Sequence, residues 1–368
     1  MQIGTAVSKP GTIQYGRWEA LKHPTGHSEF LPVIIAQGKV DGPCLWLTAG
    51  IHGNEHGGPN TIYQLLTEDL VARLRGTVVA IPALNPAGLR TGKRSPYHVP
   101  KDPNRLWPDG KPEKVLDPDK SPPSSLEMAY KRLFDDVAAT ADYLIDLHSA
   151  WIGSLSFAFR DQILYRTDGD EEGNKLKAEA LAARQGEMLQ AYGHTVLKDF
   201  PVIHGLDEDL HRSVSTAVMY LARIPTLTVE LSTDLVPDLA VIAAAAAGHR
   251  NVMRWADMLD GDMEPIEGIK VVDPGYPVRR CNTPRVEEAC IVAHLVEPGD
   301  PLTVGQPVGE TRDAWGRPVG EGVVRSEYDG FVLGRSHGAY YYPGDPVLFS
   351  AIRDTAPLVV PYPNDFFA

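Results

Sequence analysis

The sequence has little cysteine, no long apolar run and no excess of positive charge, and each shortage removes a class of protein. Three cysteines in 368 residues, Cys44, Cys281 and Cys290, are too few and too scattered for a cysteine zinc cluster or a disulfide framework. They read as ordinary thiols of a reducing compartment. No segment approaches the ~18 apolar residues of a membrane helix, and the first residues carry neither the basic patch nor the apolar stretch of a secretory leader. The expectation is a cytoplasmic protein with no membrane partner. A formal net charge of -13 favours solubility and argues against a nucleic-acid surface.

A hydrophobic content of 43% over this length allows a sizeable core and more than one unit. From Cys44 to about Leu259, apolar strand-like runs alternate with helical patterns. Helices are expected over 61–75, 126–141 and 174–192, with a fourth around the alanine run 243–247 extending to about 259. Ser124 with Glu127 three residues on forms a capping box for the second, and Gly193 stops the third. The stretch 109–121 is rich in Pro, Asp and Lys, lacks periodicity and reads as an exposed loop. Beyond about 264 the helical signal ends, and Gly, Pro, Val and Tyr with short alternating runs indicate an all-β unit. Its Pro-Gly-Asp turns resemble the barrel-sandwich hybrids of lipoyl and biotinyl carrier domains. A carrier requires a modifiable lysine, however, and none occurs after Lys270. The expected division is therefore 1–264 for an α/β unit and 265–368 for a β-rich unit.

The informative positions are where apolar runs stop. Residues 47–58, Leu-Thr-Ala-Gly-Ile-His-Gly-Asn-Glu-His-Gly-Gly, end a strand in a His52-x-x-Glu55 pair among glycines. A histidine and a carboxylate three apart can converge on one ion, and a catalytic zinc commonly takes two His and one Glu, leaving a position for water. Residues 142–149 end in His148, residues 77–86 end in Asn85-Pro86, and residues 226–232 carry Glu230 in an otherwise strand-like run. In open α/β sheets ligands bind beyond the carboxyl ends of the strands, which would gather His52, Glu55, His148 and Glu230. The plain alternatives are a helix start with a solvated Glu55, a core histidine at 148 and a half-exposed strand at 230. Asp146 either orients His148 or serves a structural hydrogen bond, and its side chain is expected to alternate away from that histidine. His56 is expected in a supporting or surface position, and His211 and Arg212 in a charged loop.

Taken in order, Gly50-Ile-His52-Gly-Asn-Glu55, Asn85-Pro-Ala-Gly88, Asp102-Pro-Asn104-Arg105-Leu-Trp-Pro108, Ile145-Asp-Leu-His148 and Val229-Glu230 resemble the succinylglutamate desuccinylase and aspartoacylase family, relatives of zinc carboxypeptidases. The resemblance covers nearly the whole chain. It implies a zinc-carboxypeptidase-like mixed sheet flanked by helices plus a C-terminal β domain, with one zinc ion per chain held by His52, Glu55 and His148. It also implies Glu230 as catalytic carboxylate, Arg94 polarising the scissile carbonyl, and Asn85, Asn104 and Arg105 in the substrate-binding group, the Asn104-Arg105 pair holding a substrate carboxylate. The expected activity is hydrolysis of a small N-acyl amino acid or related amine. A peptide-cleaving carboxypeptidase and a non-catalytic binding module with a relic metal site are the competing readings. A homo-oligomer is also compatible with the sequence.

Overall fold

The structure, a computed structural model, describes residues 1–111, 122–150, 153–336, 338–364 and 366–367. Most of the expected loop at 109–121 lies outside the described residues. Eight strands build the principal sheet: β1 (Thr12–Lys22), β2 (Ser28–Gln37), β3 (Val40–Ala49), β4 (Arg75–Ile81), β5 (Tyr143–Ser149), β6 (Phe157–Phe159), β7 (Thr195–Leu197) and β8 (Thr226–Leu231). Their order across the sheet is β7-β6-β8-β5-β3-β4-β2-β1. The four central strands run parallel, whereas β2 joins β4 and β6 joins β8 antiparallel, so the sheet is mixed. The central strands are buried nearly end to end, as expected for parallel strands covered on both faces.

Helices cover both faces. On one, α1 (Gly57–Leu65), α2 (Glu68–Arg73), α5 (Glu171–Tyr192) and α6 (Leu239–Trp255) pack on Leu45, Leu47, Leu147, Leu227 and Val229. On the other, α4 (Ser125–Thr140) packs with Val214, Ala217 and Val218 on Trp46, Val79, Ile81 and Leu144, while the short α3 (Pro86–Thr91) follows β4. The capping box at Ser124 and Glu127 is present, and Gly193 closes α5 in the left-handed conformation. The single helix expected over 61–75 is instead two. It starts earlier, at Gly57, and is broken after Leu65 because the Thr67 hydroxyl caps a new helix by accepting from Leu70 N. Residue 75 already belongs to β4.

Among the described residues, the chain after 277 forms two four-stranded antiparallel sheets. Val278–Cys281, Leu348–Arg353, Gly330–Arg335 and Pro301–Leu302 make one, and Pro318–Arg325, Pro307–Arg312, Cys290–His294 and Tyr340–Tyr341 make the other. Val292, Val308, Val324, Val332 and Leu348 fill a core of their own. We propose that this core marks a unit beginning near residue 265. It is tied back to the first: Val359–Pro361 pairs with Ile163–Tyr165, and Arg280 N donates to Lys198 O.

Two buried histidines give the α/β unit an acid sensitivity. His194 and His249 pack against Tyr192 with ring centroids 4.6 and 5.3 Å away, and burial pushes their pKa values down to about 3 and about 4. The unfolded chain takes up these protons near pH ~6.5, so from there down to about pH 4 the unfolded state binds more protons and stability falls with pH. The histidines' stabilising contribution is lost between about pH 7.5 and about pH 5, so His249→Gln should lose less melting temperature over that interval than wild-type protein, and an equal loss would contradict the account.

Candidate metal centre

The loop after β3 carries the site's first residues. Gly50 sits at φ 65°, in the left-handed region, and turns the chain sharply at the strand end. At Gly53 a Cβ would lie 2.0 Å from the carbonyl carbon of Gly88 and 2.4 Å from the Lys93 oxygen, so only glycine lets this loop pass the 85–94 segment. Glu55 N donates to His52 O at 3.2 Å, closing a turn that sets both side chains side by side. Helix α1 then leaves against the sheet, where a Cβ on Gly58 would meet the Cβ atoms of Leu147 and Ala49 at 2.8 and 2.9 Å.

His148 reaches the same point from the end of β5. His52 Nδ1 lies 2.7 Å from Glu55 Oε1, and His148 Nδ1 lies 3.1 Å from Glu55 Oε2. One ligand atom from each of the three residues falls within 4.8 Å of the others, and their relative exposures are only 3%, 6% and 3%. The opposite ring nitrogens face carboxylates, His52 Nε2 to Asp102 Oδ1 at 3.0 Å and His148 Nε2 to Asp146 Oδ2 at 2.9 Å. A carboxylate that accepts the Nε2 proton leaves the Nδ1 lone pair for the centre, the arrangement found around metal-ligating histidines. The donor set thus fits a divalent ion of the zinc type.

The expectation that Asp146 turns away from His148 is wrong. Residues two apart in a strand share a face, and Asp146 is further held by Thr48 Oγ1 at 2.7 Å. Asp102 holds both its own loop and neighbouring side chains. It accepts from Asn104 N at 2.8 Å and from Arg94 Nε and Nη2 at 3.0 and 2.8 Å, besides facing His52. His56 stays outside the centre, its ring on the backbone oxygens of Leu235 and Gly53. His211 is buried, and Arg212 pairs with Glu127 at 2.9 Å.

Charge follows this geometry. Burial disfavours the imidazolium of His52, but Glu55 and the bond to Asp102 outweigh it and raise its pKa; His148 is raised well above the ordinary value by Asp146 and Glu55, also against burial. Burial opposes the Glu55 carboxylate as well, yet the two histidines hold its pKa below the usual range. Glu230, half-buried, is directly opposite His148 in the β8–β5 register. Burial lifts its pKa against the pull of His148, with the Glu55 charge adding to the rise.

Arg94 is half exposed, with Nη1 3.7 Å from Glu55 Oε1. Asn104 is buried; its Nδ2 lies 3.3 Å from His148 Nε2 and its Oδ1 accepts from Val214 N. Arg105 donates to the backbone oxygens of Glu208 and Asn104. Asn85, expected among the substrate-binding groups, makes three hydrogen bonds within the protein: its Oδ1 caps α3 at Gly88 N, and its Nδ2 donates to Ile51 O and Arg94 O. These bonds fix the loop that carries Arg94. A zinc ion held by the folded centre and not by the unfolded chain would stabilise the fold, so adding Zn2+ to metal-stripped protein should raise its melting temperature, by the equivalent of about 2.7 kcal/mol at a hundredfold excess over Kd. His148→Ala should remove most of that shift; an undiminished shift would place the ion elsewhere.

The comparisons with known proteins agree with this geometry. Residues 41–255 match the succinylglutamate desuccinylase/aspartoacylase catalytic domain, a span that includes every residue of the centre. N-alpha-acetyl-L-2,4-diaminobutyric acid deacetylase of Halomonas elongata is 23% identical over 345 residues, covering 91% of this chain and 90% of that protein. The product-bound ectoine utilization protein EutE of Ruegeria pomeroyi superposes with a TM-score of 0.69 at 18% identity, over 96% of this chain and 99% of that one. A succinylglutamate desuccinylase/aspartoacylase structure from Rhodobacter sphaeroides gives 0.68 at 18% identity, over 94% and 96%. With the catalytic-domain match spanning more than half its length, the chain belongs to the succinylglutamate desuccinylase/aspartoacylase family.

Proposed function

We propose that this chain is a zinc-dependent amidohydrolase that removes the acyl group from a small N-acylated amino acid, with one zinc ion held by His52, Glu55 and His148. The observation that carries the reading is the convergence of two Nδ1 atoms and one carboxylate beside Glu230 at the carboxyl ends of the central strands. A bound zinc ion would supply Lewis acidity toward the acyl carbonyl and a water molecule of pKa near ~7. The remaining steps belong to side chains of this chain.

Glu230 takes the proton released as water attacks the carbonyl carbon and returns it to the amine nitrogen as the C–N bond breaks. A carboxyl group raised by burial suits this double task, because its protonated form is more accessible than that of a solvated glutamate. Arg94 remains cationic throughout and donates to the carbonyl oxygen as negative charge builds there. Asp102 fixes its guanidinium through two hydrogen bonds, and Asn85 fixes its backbone. Asp146 and Asp102 keep the two imidazoles in one tautomer and orientation. Arg105, backed by Asn104, binds a carboxylate on the substrate.

The relative from Halomonas elongata, a deacetylase of an N-acetylated diamino acid, makes N-acetyl-2,4-diaminobutyrate the first compound to assay. Glu230→Gln should retain zinc and lose about 10²- to 10⁴-fold in kcat, the usual contribution of a positioned acid-base group. A zinc-loaded Glu230→Gln protein with normal turnover would sink the mechanism.

A further inference from the structure

Arg280 belongs to the strand Val278–Cys281, far along the chain from the motifs of the metal centre, but its side chain lies beside them. Its backbone is anchored to the principal sheet: Lys198 N donates to Val278 O at 2.8 Å and Arg280 N donates to Lys198 O at 2.9 Å. Its guanidinium carbon sits 5.1 Å from the ring centroid of Phe159 and 4.1 Å from that of Phe200. Phe159 lies opposite Thr228, and Phe157 opposite Glu230, in the antiparallel pairing of β6 with β8. Opposed residues share a sheet face, as do residues two apart along a strand. Phe159 and Glu230 therefore face the same side, and Arg280 covers that face one rung from the catalytic carboxylate.

Its donors are only partly engaged. Nε lies 2.7 Å from Asp199 Oδ1, yet this buried nitrogen has no correctly directed hydrogen bond. Arg105, in the Asn104-Arg105 pair beside the metal centre, donates to the backbone oxygens of Glu208 and Asn104. Burial lowers the Arg105 pKa, and the positive charge of Arg280 adds to the lowering, so the two guanidiniums lie within each other's field. Two cations within each other's field are favoured when an anion joins them, and a planar fork suits a carboxylate in particular.

We propose that Arg280 is a second substrate-binding guanidinium, which grips the carboxylate of the acyl amino acid together with Arg105. The strand Val278–Cys281 thereby completes the pocket, and the β-rich unit becomes a determinant of specificity. The rings of Phe159 and Phe200 and the Asp199 carboxylate hold the guanidinium ready. The assignment rests on the deacylase reading above.

The test compares N-acetyl-2,4-diaminobutyrate with N-acetyl-1,3-diaminopropane, which differs from it by the missing carboxylate. The ratio of kcat/KM for the acid over the amine does not depend on how much of a variant is folded. Arg280→Met should lower that ratio about 10- to 100-fold, mainly through KM of the acid, as expected for one lost charge-assisted interaction. Arg280→Lys, which keeps the charge but not the fork, should fall between, and it serves alone if Arg280→Met does not fold. An unchanged ratio would overturn the proposal, as would an equal loss on both compounds. If wild-type protein hydrolyses neither compound, the deacylase reading fails instead. Calorimetric titration of zinc-loaded protein with N-acetyl-2,4-diaminobutyrate then decides: binding weakened by the variant supports Arg280, and equal or absent binding overturns it.

Discussion

The burial of the Glu55 carboxylate is the constraint on which the site depends. A charge so enclosed is costly unless it is paired and hydrogen-bonded, and here each oxygen meets one histidine while Ser149 N donates as well. The histidines are themselves backed by Asp102 and Asp146, which makes a continuous run of acid, imidazole, acid, imidazole, acid. Arg94 joins at the outer end. Three carboxylates and one guanidinium leave two negative charges to balance. Two imidazolium protons can balance them, which is why both histidine pKa values are raised. One divalent cation balances them equally well, and metal binding then releases those protons.

The fold exists, for this purpose, to bring strand ends together. Parallel β3, β5 and β8 stop on one edge, and each delivers its polar residue there: His52 and Glu55 from the loop after β3, His148 from β5 and Glu230 from β8. The loop 85–94 is clamped against the first of these by the amide of Asn85 and by the close approach at Gly53. Positions are thus set by sheet register and by backbone contacts that tolerate no side chain. Such rigidity is what a site needs if its donors are to be preorganised.

Much of this was legible in the sequence, because strand ends announce themselves when an apolar run stops at a histidine or a glutamate. The spacing at His52 and Glu55, the run ending in His148 and the lone carboxylate at 230 carried the constellation without tertiary information. Helix limits marked by Ser124 and Gly193 were legible for the same reason: capping is local chemistry. Other features were not. The break at Thr67 interrupts a pattern whose periodicity runs on through it. Asn85 has the residue type of a ligand-binding group, and only the folded loop reveals that its amide also bonds Ile51, Gly88 and Arg94. The pairing of Asp146 with His148, by contrast, is legible, because residues two apart in a strand share a face. Arg280 carries no motif, and only the packing of the β-rich unit against Phe159 and Phe200 brings it near Glu230.

In the function proposed, the buried, charge-balanced pair of histidines and their carboxylate would receive a zinc ion, and the neighbouring Glu230 would move protons during amide cleavage. The most direct measurement is release of free amine from N-acetyl-2,4-diaminobutyrate by metal-stripped wild-type protein, titrated with Zn2+. Amine release that climbs with zinc and levels off at one equivalent per chain is the predicted result. Release that is already complete without metal, or absent at one equivalent and beyond across a panel of N-acyl amino acids, would contradict it.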